Sequence, residues 1–322
     1  MANDLSNMDV KEKYRALCQS EQTIPLSSQD WWLDIVAGEN NWQVAAVEKN
    51  GEIVASLPYL PAKQMGFPVI RMPGFTPSLG VWIKYPDGQK YNSKLAYEHS
   101  VCDELISQLP DVQRFYQRFH PDFTNWLPFF WRGFRQTTRY VYIINDLSDL
   151  DAVFANFREN IRREIRKAKK KLTVFESDDI ETLYDLIGKT FSRQDKSLGF
   201  SLDFFKKLDA ACKLRNCRKI LFAKDDEGNL HSGLYLVWDG KMAYYLQGGS
   251  DPEFRNSGAA SLVMWEGIQF AATVTQQYNF AGSMIAPIER FFRSFGGVQT
   301  PYFSIYKSKF LFKLIDAYRD IK

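Results

Sequence analysis

The residues best suited to binding an anion lie in the segment 251–271, DPEFRNSGAASLVMWEGIQFA. Apolar residues follow its centre at helical spacing, so a helix should begin inside the segment. Free N–H groups at a helix start bind phosphate where small side chains let it approach, and an arginine adds positive charge. A plain helix start capped by Ser257 explains the same residues about equally well. The residues predicted to bind phosphate are Arg255, Asn256, Ser257, Gly258, Ala259 and Ala260.

The elements that position this segment occur twice in the chain. Strand-like runs in the first half are WQVAAVEK, GEIVASLPYL, VIRMPG with LGVWI, RFYQRFH and RYVYII, and those in the second are RKILFAKD, LHSGLYLVW, MAYYLQG, QQYNFAG and PYFSIYK. FFWRGFRQTTRYVYI in the first half also resembles FFRSFGGVQTPYFSI in the second. We therefore expect two tandem α/β domains, each with a mixed sheet, at residues 1–147 and 148–322. The corresponding stretch of the first copy, KYPDGQKYNSKL, lacks the small residues, so only the second copy should hold a phosphate-bearing donor and the first should lie on the acceptor side.

A basic segment at residues 158–171, RENIRREIRKAKKK, contains eight Lys or Arg and two Glu. Its apolar residues recur at helical spacing, and we predict one linker helix over residues 149–172 that joins the two copies. A basic amphipathic helix is typical of surfaces that bind tRNA, other phosphates or a membrane. A connector helix with a solvated cationic face is the alternative explanation.

Composition limits the remaining classes of protein. The length of 322 residues and the 45% of hydrophobic residues suit two domains with their own cores. No apolar run is long enough to span a membrane, and the polar N-terminus has no secretory pattern, so we expect a cytoplasmic monomer. The four cysteines and three histidines show no metal-ligand spacing, and we predict no metal.

The strand, RNSGAA and helix unit resembles the pyrophosphate loop of Gcn5-related N-acetyltransferases (GNAT), Arg/Gln-x-x-Gly-x-Gly/Ala. The repeat and the ending YNFAGSMIAPIERFFRSFGG resemble the bacterial double-GNAT group, which includes Fem aminoacyltransferases and CelD-type acyltransferases. The resemblance implies an N-acyltransferase that takes acyl-CoA (acetyl-CoA) as co-substrate and permanently binds no cofactor. Its acceptor would be an amine, either a small molecule or a cell-envelope precursor. A Fem-type transferase that uses aminoacyl-tRNA and a non-catalytic binding protein on this fold are the alternatives.

The resemblance also implies roles for individual residues. The donor thioester would lie between the strands AYYLQGG and QYNFAG, where a backbone N–H near Leu246 would bind the oxyanion and Gly248 would let the ligand approach. Tyr245 is the candidate acid and Glu289 the candidate base, although core packing and a helix-start carboxylate explain them too. The residues expected to bind the acceptor are Arg193, Gln194, Lys196 and Ser283.

Overall fold

The computed structural model describes residues 9–193, 195–282, 284–309 and 312–313. Gln194 and Ser283, both predicted to bind the acceptor, lie outside the described residues. In chain order the helices and strands are α1 Val10–Ser20, α2 Asp30–Ala37, β1 Gln43–Lys49, β2 Glu52–Gln64, β3 Phe67–Arg71, β4 Trp82–Ile83, α3 Tyr91–Ser107, β5 Arg114–Arg118, α4 Leu127–Trp131, β6 Arg135–Ile144, α5 Leu150–Ala155, α6 Glu159–Ala168, β7 Thr173–Glu176, α7 Ile180–Ser192, α8 Leu202–Leu214, β8 Arg218–Lys224, β9 Leu230–Trp238, β10 Met242–Ser250, α9 Ala259–Ala271, β11 Gln277–Asn279, α10 Ala286–Arg293 and β12 Val298–Ser308. No helix in these ranges is long and apolar enough to cross a membrane.

The chain forms two compact units. Unit 1 comprises Met1–Arg139 and Pro301–Lys322, and unit 2 comprises Tyr140–Thr300. The units therefore divide the chain after Arg139 and again after Thr300, whereas the sequence pattern led us to a single boundary after residue 147. The difference arises because residues 140–144 of β6 fall in unit 2, whereas residues 301–308 of β12 fall in unit 1.

Unit 1 contains a mixed sheet in the order β1, β2, β3, β5 and β12. Only the pairing of β3 with β5 is parallel. Residues 304–308 of β12 pair with residues 114–118 of β5, so this unit is completed by the end of the chain. Strand β4 pairs with β2 beyond the end of β3.

Unit 2 contains a mixed sheet in the order β7, β8, β9, β10, β11 and β6. Its one parallel pairing joins β10 to β11. The two faces of the sheet can be told apart at β9, because neighbouring residues of a strand point to opposite faces. A Cβ atom on Gly233 would lie 2.8 Å from Leu183 of α7, whereas Leu234 packs against Gly267 of α9. Helices α7 and α9 therefore cover opposite faces of the sheet.

The basic segment does not form the single helix that its periodicity predicts. It forms α5 and α6, and the residues between them interrupt the helix because the N–H of Arg158 donates to the carbonyl of Ser294 at 2.9 Å. Phe157, 2% exposed, packs into the core of unit 2 at the same point. Asp149 caps the start of α5 through a 2.9 Å hydrogen bond from the N–H of Ala152. Both helices belong to unit 2, so the segment is part of a domain core as well as a connection.

Candidate functional site

The centre of unit 2 is the place where β10 and β11 separate. Residues 242–244 pair with residues 277–279, after which β11 ends and β10 runs on to Ser250. Within the described ranges, no strand therefore lies beside the second half of β10 on that edge. Parallel strands that separate in this way leave room for a ligand to reach the backbone.

A β-bulge interrupts β10 at the start of this stretch. Tyr245 lies opposite Leu236 and Gln247 lies opposite Tyr235, so Leu246 has no partner in the register of β9. A bulged residue is left out of the ladder and re-aims the backbone around it. The bulge falls at the residue predicted to offer its N–H to an oxyanion.

Two glycines let other groups approach the end of β10 closely. A Cβ atom on Gly248 would lie 2.3 Å from the hydroxyl of Tyr245, and one on Gly249 would lie 2.3 Å from the backbone of Leu186 in α7. Any side chain at either position would displace its neighbour. The glycine pair is therefore required both for the position of Tyr245 and for the packing of α7 on the strand.

A cleft of about 280 Å³ lies along this part of unit 2. Its walls come from α7, β9, β10, the loop after β10, α9 and α10. It brings together five of the residues predicted from the sequence: Arg193, Tyr245, Gly248, Arg255 and Ala260. Leu246, Asn256, Ser257, Gly258, Ala259, Lys196 and Glu289 are not among the residues that line it.

The loop that carries Arg255 is held at both ends. Asp251 accepts hydrogen bonds from the N–H of Glu253 at 3.0 Å and from Lys189 Nζ at 2.5 Å. Phe254 stacks on His231 with ring centroids 4.0 Å apart, and His231 Nε2 lies 3.1 Å from Asp225 Oδ2. These contacts place Arg255 at the edge of the cleft with its backbone already ordered.

At the start of α9, one residue packs closely against α6 and another leaves its backbone N–H accessible. Gly258 has φ of +79°, and a Cβ atom there would lie 3.1 Å from the carbonyl oxygen of Glu164 in α6. Ser257 Oγ accepts a hydrogen bond from the N–H of Ala259 at 3.2 Å. This is the capping expected if the segment is only a helix start and binds no phosphate. Ala260 is exposed, and no hydrogen bond to its N–H is found among the described residues. The N–H groups open to a ligand are therefore fewer than the sequence pattern suggests.

One carboxylate near the helix start was not foreseen. Glu164 Oε2 accepts a hydrogen bond from Ser261 Oγ at 3.0 Å. The sequence separates these residues by 97 positions, so no local pattern brings them together. Because a carboxylate is stabilised at a helix N-terminus, Glu164 offsets part of the positive charge there.

The two arginines of the cleft are exposed and have no carboxylate partner in the described part of the chain. Nearby Lys189, in contrast, is paired with Asp251. A guanidinium without a counter-charge binds phosphate or carboxylate through parallel N–H bonds. The electrostatics of the cleft therefore favour an anionic ligand.

Comparison with known proteins agrees with this geometry. Residues 155–282 match the family model described as "Acetyltransferase (GNAT) domain". The solved structure of FemX shares the fold over 92% of this chain and 96% of its own, with a TM-score of 0.66 and 15% identity. L-PGS from Bacillus licheniformis does so over 94% and 93%, with a TM-score of 0.54 and 12% identity. Residues 155–282 thus match the GNAT domain model, and the chain as a whole shares the fold of FemX.

A third fold relative is the C-terminal domain of a putative lysylphosphatidylglycerol synthetase from Agrobacterium fabrum, with a TM-score of 0.55 and 12% identity over 95% of this chain and 96% of that one. Among the curated proteins, no sequence matches this chain. The predicted fold of two GNAT-like halves is confirmed. At identities this low the structures show the fold alone.

Among the described residues that line the cleft, Tyr245 carries the one phenol. Burial raises the pKa of its hydroxyl to about 12, and its ring packs against Phe292 with centroids 5.3 Å apart. A phenol with this pKa stays protonated at neutral pH. At neutral pH its hydroxyl is therefore a hydrogen-bond donor and not a base.

Glu289, the candidate base, lies in a hydrogen-bond network outside the cleft. Tyr142 donates to its Oε1 at 2.6 Å, Arg293 Nε donates to the same atom at 2.7 Å, and Gln299 donates to the Tyr142 hydroxyl at 3.0 Å. The hydrogen bond from Tyr142, followed by that from Arg293, holds the pKa of Glu289 below its usual range. A lower pKa makes the carboxylate a weaker proton acceptor, so the geometry does not favour this role.

Lys196, predicted to contact the acceptor, is exposed in the loop after α7 and does not reach the cleft. Thr190 lines the cleft but was missed, because a threonine inside a helix carries no signal of a site. No group of His, Cys, Asp or Glu suited to a metal ion occurs within the described ranges.

Proposed function

We propose that this protein transfers an acyl group from acyl-CoA to an amine. The observation that carries the proposal is the cleft lined by Arg255, which has no carboxylate partner in the described ranges, by exposed Ala260 and by the second half of β10. A phosphate-bearing donor would bind at Arg255 and the start of α9, and its thioester would lie beside Tyr245 and Gly248. Acyl-CoA is a co-substrate in this proposal.

The reaction would proceed by direct attack of the amine on the thioester carbonyl. The carbonyl oxygen would become an oxyanion, which a backbone N–H at the Leu246 bulge is suited to stabilise. Collapse of the tetrahedral intermediate would break the C–S bond, and Tyr245 would supply a proton to the leaving thiolate. The amine proton would leave to water, because no carboxylate lines the described part of the cleft.

Four free cysteines support a reducing compartment, the cytoplasm, for this activity. Cys102, Cys212 and Cys217 are buried and Cys18 is partly buried. Unpaired thiols of this kind persist where the cell keeps thiols reduced.

A donor of the aminoacyl-tRNA type is the second candidate, favoured by the surface of α6 and the residues that follow it. Four cations there are exposed and have no carboxylate partner among the residues described: Arg163, Lys167, Lys170 and Lys171. Such a surface suits a polyanion. FemX and the lysylphosphatidylglycerol synthetase share the fold but do not identify the donor of this protein.

Thermal unfolding with added ligand separates the candidates. A ligand present at about 100 times its dissociation constant raises the free energy of unfolding by about 2.7 kcal/mol. Acetyl-CoA, a long-chain acyl-CoA and charged tRNA should be compared at matched ionic strength. Stabilisation by tRNA without any by CoA compounds would reject the proposal.

A transfer assay then tests the chemistry. Tyr245→Phe should lower kcat about 100-fold or more, with little change in KM for the donor, because it removes the acid and keeps the ring. Tyr244→Phe is the matched control, since Tyr244 donates to Asp239 at 3.1 Å and does not line the cleft. Equal rates for the Tyr245 variant and wild type would remove Tyr245 from the mechanism.

A further inference from the structure

Hydrogen bonds and an ion pair hold the last turn of α7 against the end of β10. Thr190 Oγ1 accepts a hydrogen bond from the N–H of Ser250 at 2.8 Å and lies 3.1 Å from the Ser250 carbonyl oxygen. Lys189 Nζ donates to Asp251 at 2.5 Å one residue further on. The end of the helix and the end of the strand therefore form one ordered unit.

Gly249 makes this close approach possible. Its missing side chain would lie within 2.4 Å of the backbone of Leu186 and Ile187. Helix α7 thus rests directly on the backbone of β10, and the residue that follows the helix is carried to the edge of the cleft. That residue is Arg193.

Arg193, which follows α7, and Arg255, in the loop after β10, line the same cleft. Asp251 neutralises Lys189, yet neither arginine has a carboxylate within ion-pair distance in the described ranges. Two guanidinium groups that share a cleft of about 280 Å³ repel each other unless an anion lies between them or beside both. The arrangement is best satisfied by a ligand with two or more negative charges, such as a diphosphate.

We propose that Arg193 and Arg255 form a two-armed phosphate clamp for the donor, so that Arg193 binds a phosphate of CoA and not the acceptor. The proposal rests on the acyl-CoA function proposed above and adds a second donor-binding residue to it. Thr190 and Gly249 are positioning residues for the clamp, because they hold α7 against β10.

Calorimetric titration tests the clamp with ligands that differ in phosphate content. Wild type, Arg193→Ala and Arg255→Ala should each be titrated with CoA, 3′-dephospho-CoA, pantetheine and inorganic pyrophosphate. Arg193→Ala should weaken CoA about 10-fold or more, since it removes a charge-assisted bond, and should leave pantetheine unchanged. Lys196→Ala is the matched control, because Lys196 is an exposed cation of the same loop that does not line the cleft.

The ligands also locate the contact. A loss for CoA but not for 3′-dephospho-CoA assigns Arg193 to the 3′-phosphate, and equal losses assign it to the diphosphate. CoA affinity within twofold of wild type in Arg193→Ala overturns the clamp and leaves the acyl-CoA function standing. If wild type binds no CoA, the proposed function fails. Pyrophosphate binding that Arg193→Ala abolishes would then still support the clamp, and no pyrophosphate binding would overturn both.

Discussion

Each unit interrupts the strand that precedes its main helix, but the interruptions differ in length. In unit 2, β10 is broken by the single bulged residue Leu246 and continues along β9. In unit 1, the corresponding run leaves the sheet after β3 and returns as β4, with residues 72–81 between them. The same place in two similar sheets therefore holds a one-residue bulge in one unit and a loop in the other.

In unit 1 this loop fills the space beside the sheet, whereas the equivalent space in unit 2 is the cleft. Leu79 donates its N–H to the carbonyl of Arg118 at 2.7 Å, accepts from the N–H of His120 at 2.9 Å and forms a parallel bridge with Phe119. It is 1% exposed. Gly80, with φ of +103°, lets the chain lie against the ring of Phe119. The equivalent place in the two sheets is therefore packed core in unit 1, where Leu79 bonds to the backbone next to Phe119, and a cleft in unit 2.

The largest expected effect is a loss of stability when the buried side chain of Leu79 in unit 1 is shortened. Leu79→Ala should lower the free energy of unfolding by about 3 kcal/mol, because it removes a buried side chain and leaves a cavity. CoA affinity should stay within about twofold, since Leu79 belongs to unit 1. Denaturant unfolding and calorimetry measure the two quantities on the same sample. A large loss of CoA affinity in the folded variant would contradict the contrast between the units.

The next effect concerns the two helix starts. Ala260→Glu should weaken CoA about 100-fold, because a carboxylate at the second residue of α9 repels phosphate while it stabilises the helix itself. Gln has the size of Glu without its charge, so Ala260→Gln separates the effect of charge repulsion from the effect of side-chain size. Gly258 is a poorer probe, since its positive φ and the nearby Glu164 carbonyl would strain any larger residue.

The control for that variant lies in unit 1. Asn92 is the exposed second residue of α3 and corresponds in position to Ala260. Asn92→Glu should leave CoA affinity unchanged. If it weakens CoA as Ala260→Glu does, the donor site is not confined to unit 2.

A smaller effect is expected at the arginine before the helix. Arg255→Ala should weaken CoA by about 1–3 kcal/mol, the range for a charge-assisted hydrogen bond. Lys90 is an exposed cation directly before α3 in unit 1, and Lys90→Ala should have no effect on CoA. The loss at Arg255 should shrink at high salt because the arginine is exposed.

Much of this fold follows from the sequence because periodic segments are set locally. The run LHSGLYLVW, for example, coincides with β9. The bulge at Leu246 was not predictable, since Tyr-Tyr-Leu-Gln has the composition of an uninterrupted strand. The contacts of Leu79 were not predictable for a related reason: Arg118 and Phe119 are distant from it in the sequence, and only the folded sheet brings them together.

The site was predictable to the extent that it is local. Arg255 and Ala260 lie in one short segment whose pattern carries information, and both line the cleft. The contact between Glu289 and Tyr142 was not predictable, because the two residues are 147 positions apart in the sequence. Arg193 reaches the cleft through the packing of α7 on Gly249, which no spacing of charges reveals.

The smallest effect concerns the helices that follow the fifth strand of each repeat. In unit 2, α10 carries Glu289, bonded to Tyr142, whereas α4 of unit 1 contains no acid. The pKa of Glu289 is lowered in the folded protein, so its stabilisation is present above the ordinary Glu pKa of about 4.3 and is lost as pH falls through the folded value.

Glu289→Gln should therefore destabilise the protein by less than about 1 kcal/mol at pH 7, and the difference should vanish at pH well below 4. Melting temperatures at several pH values measure it, and CoA affinity should not change. A loss of acyl transfer far larger than the loss of stability would instead restore Glu289 to the mechanism.

Most of β12 belongs to unit 1 but is synthesised after unit 2, and this sets an order in which the two units can fold during synthesis. Unit 2 is one uninterrupted stretch, Tyr140–Thr300, so it can be completed as soon as it leaves the ribosome. Unit 1 is made first but lacks β12 until the final residues arrive, because residues 304–308 pair with β5. The N-terminal unit must therefore wait with an unpaired edge on β5 while the C-terminal unit forms. Release of the nascent chain before residue 301 would leave unit 2 complete and unit 1 without its last strand.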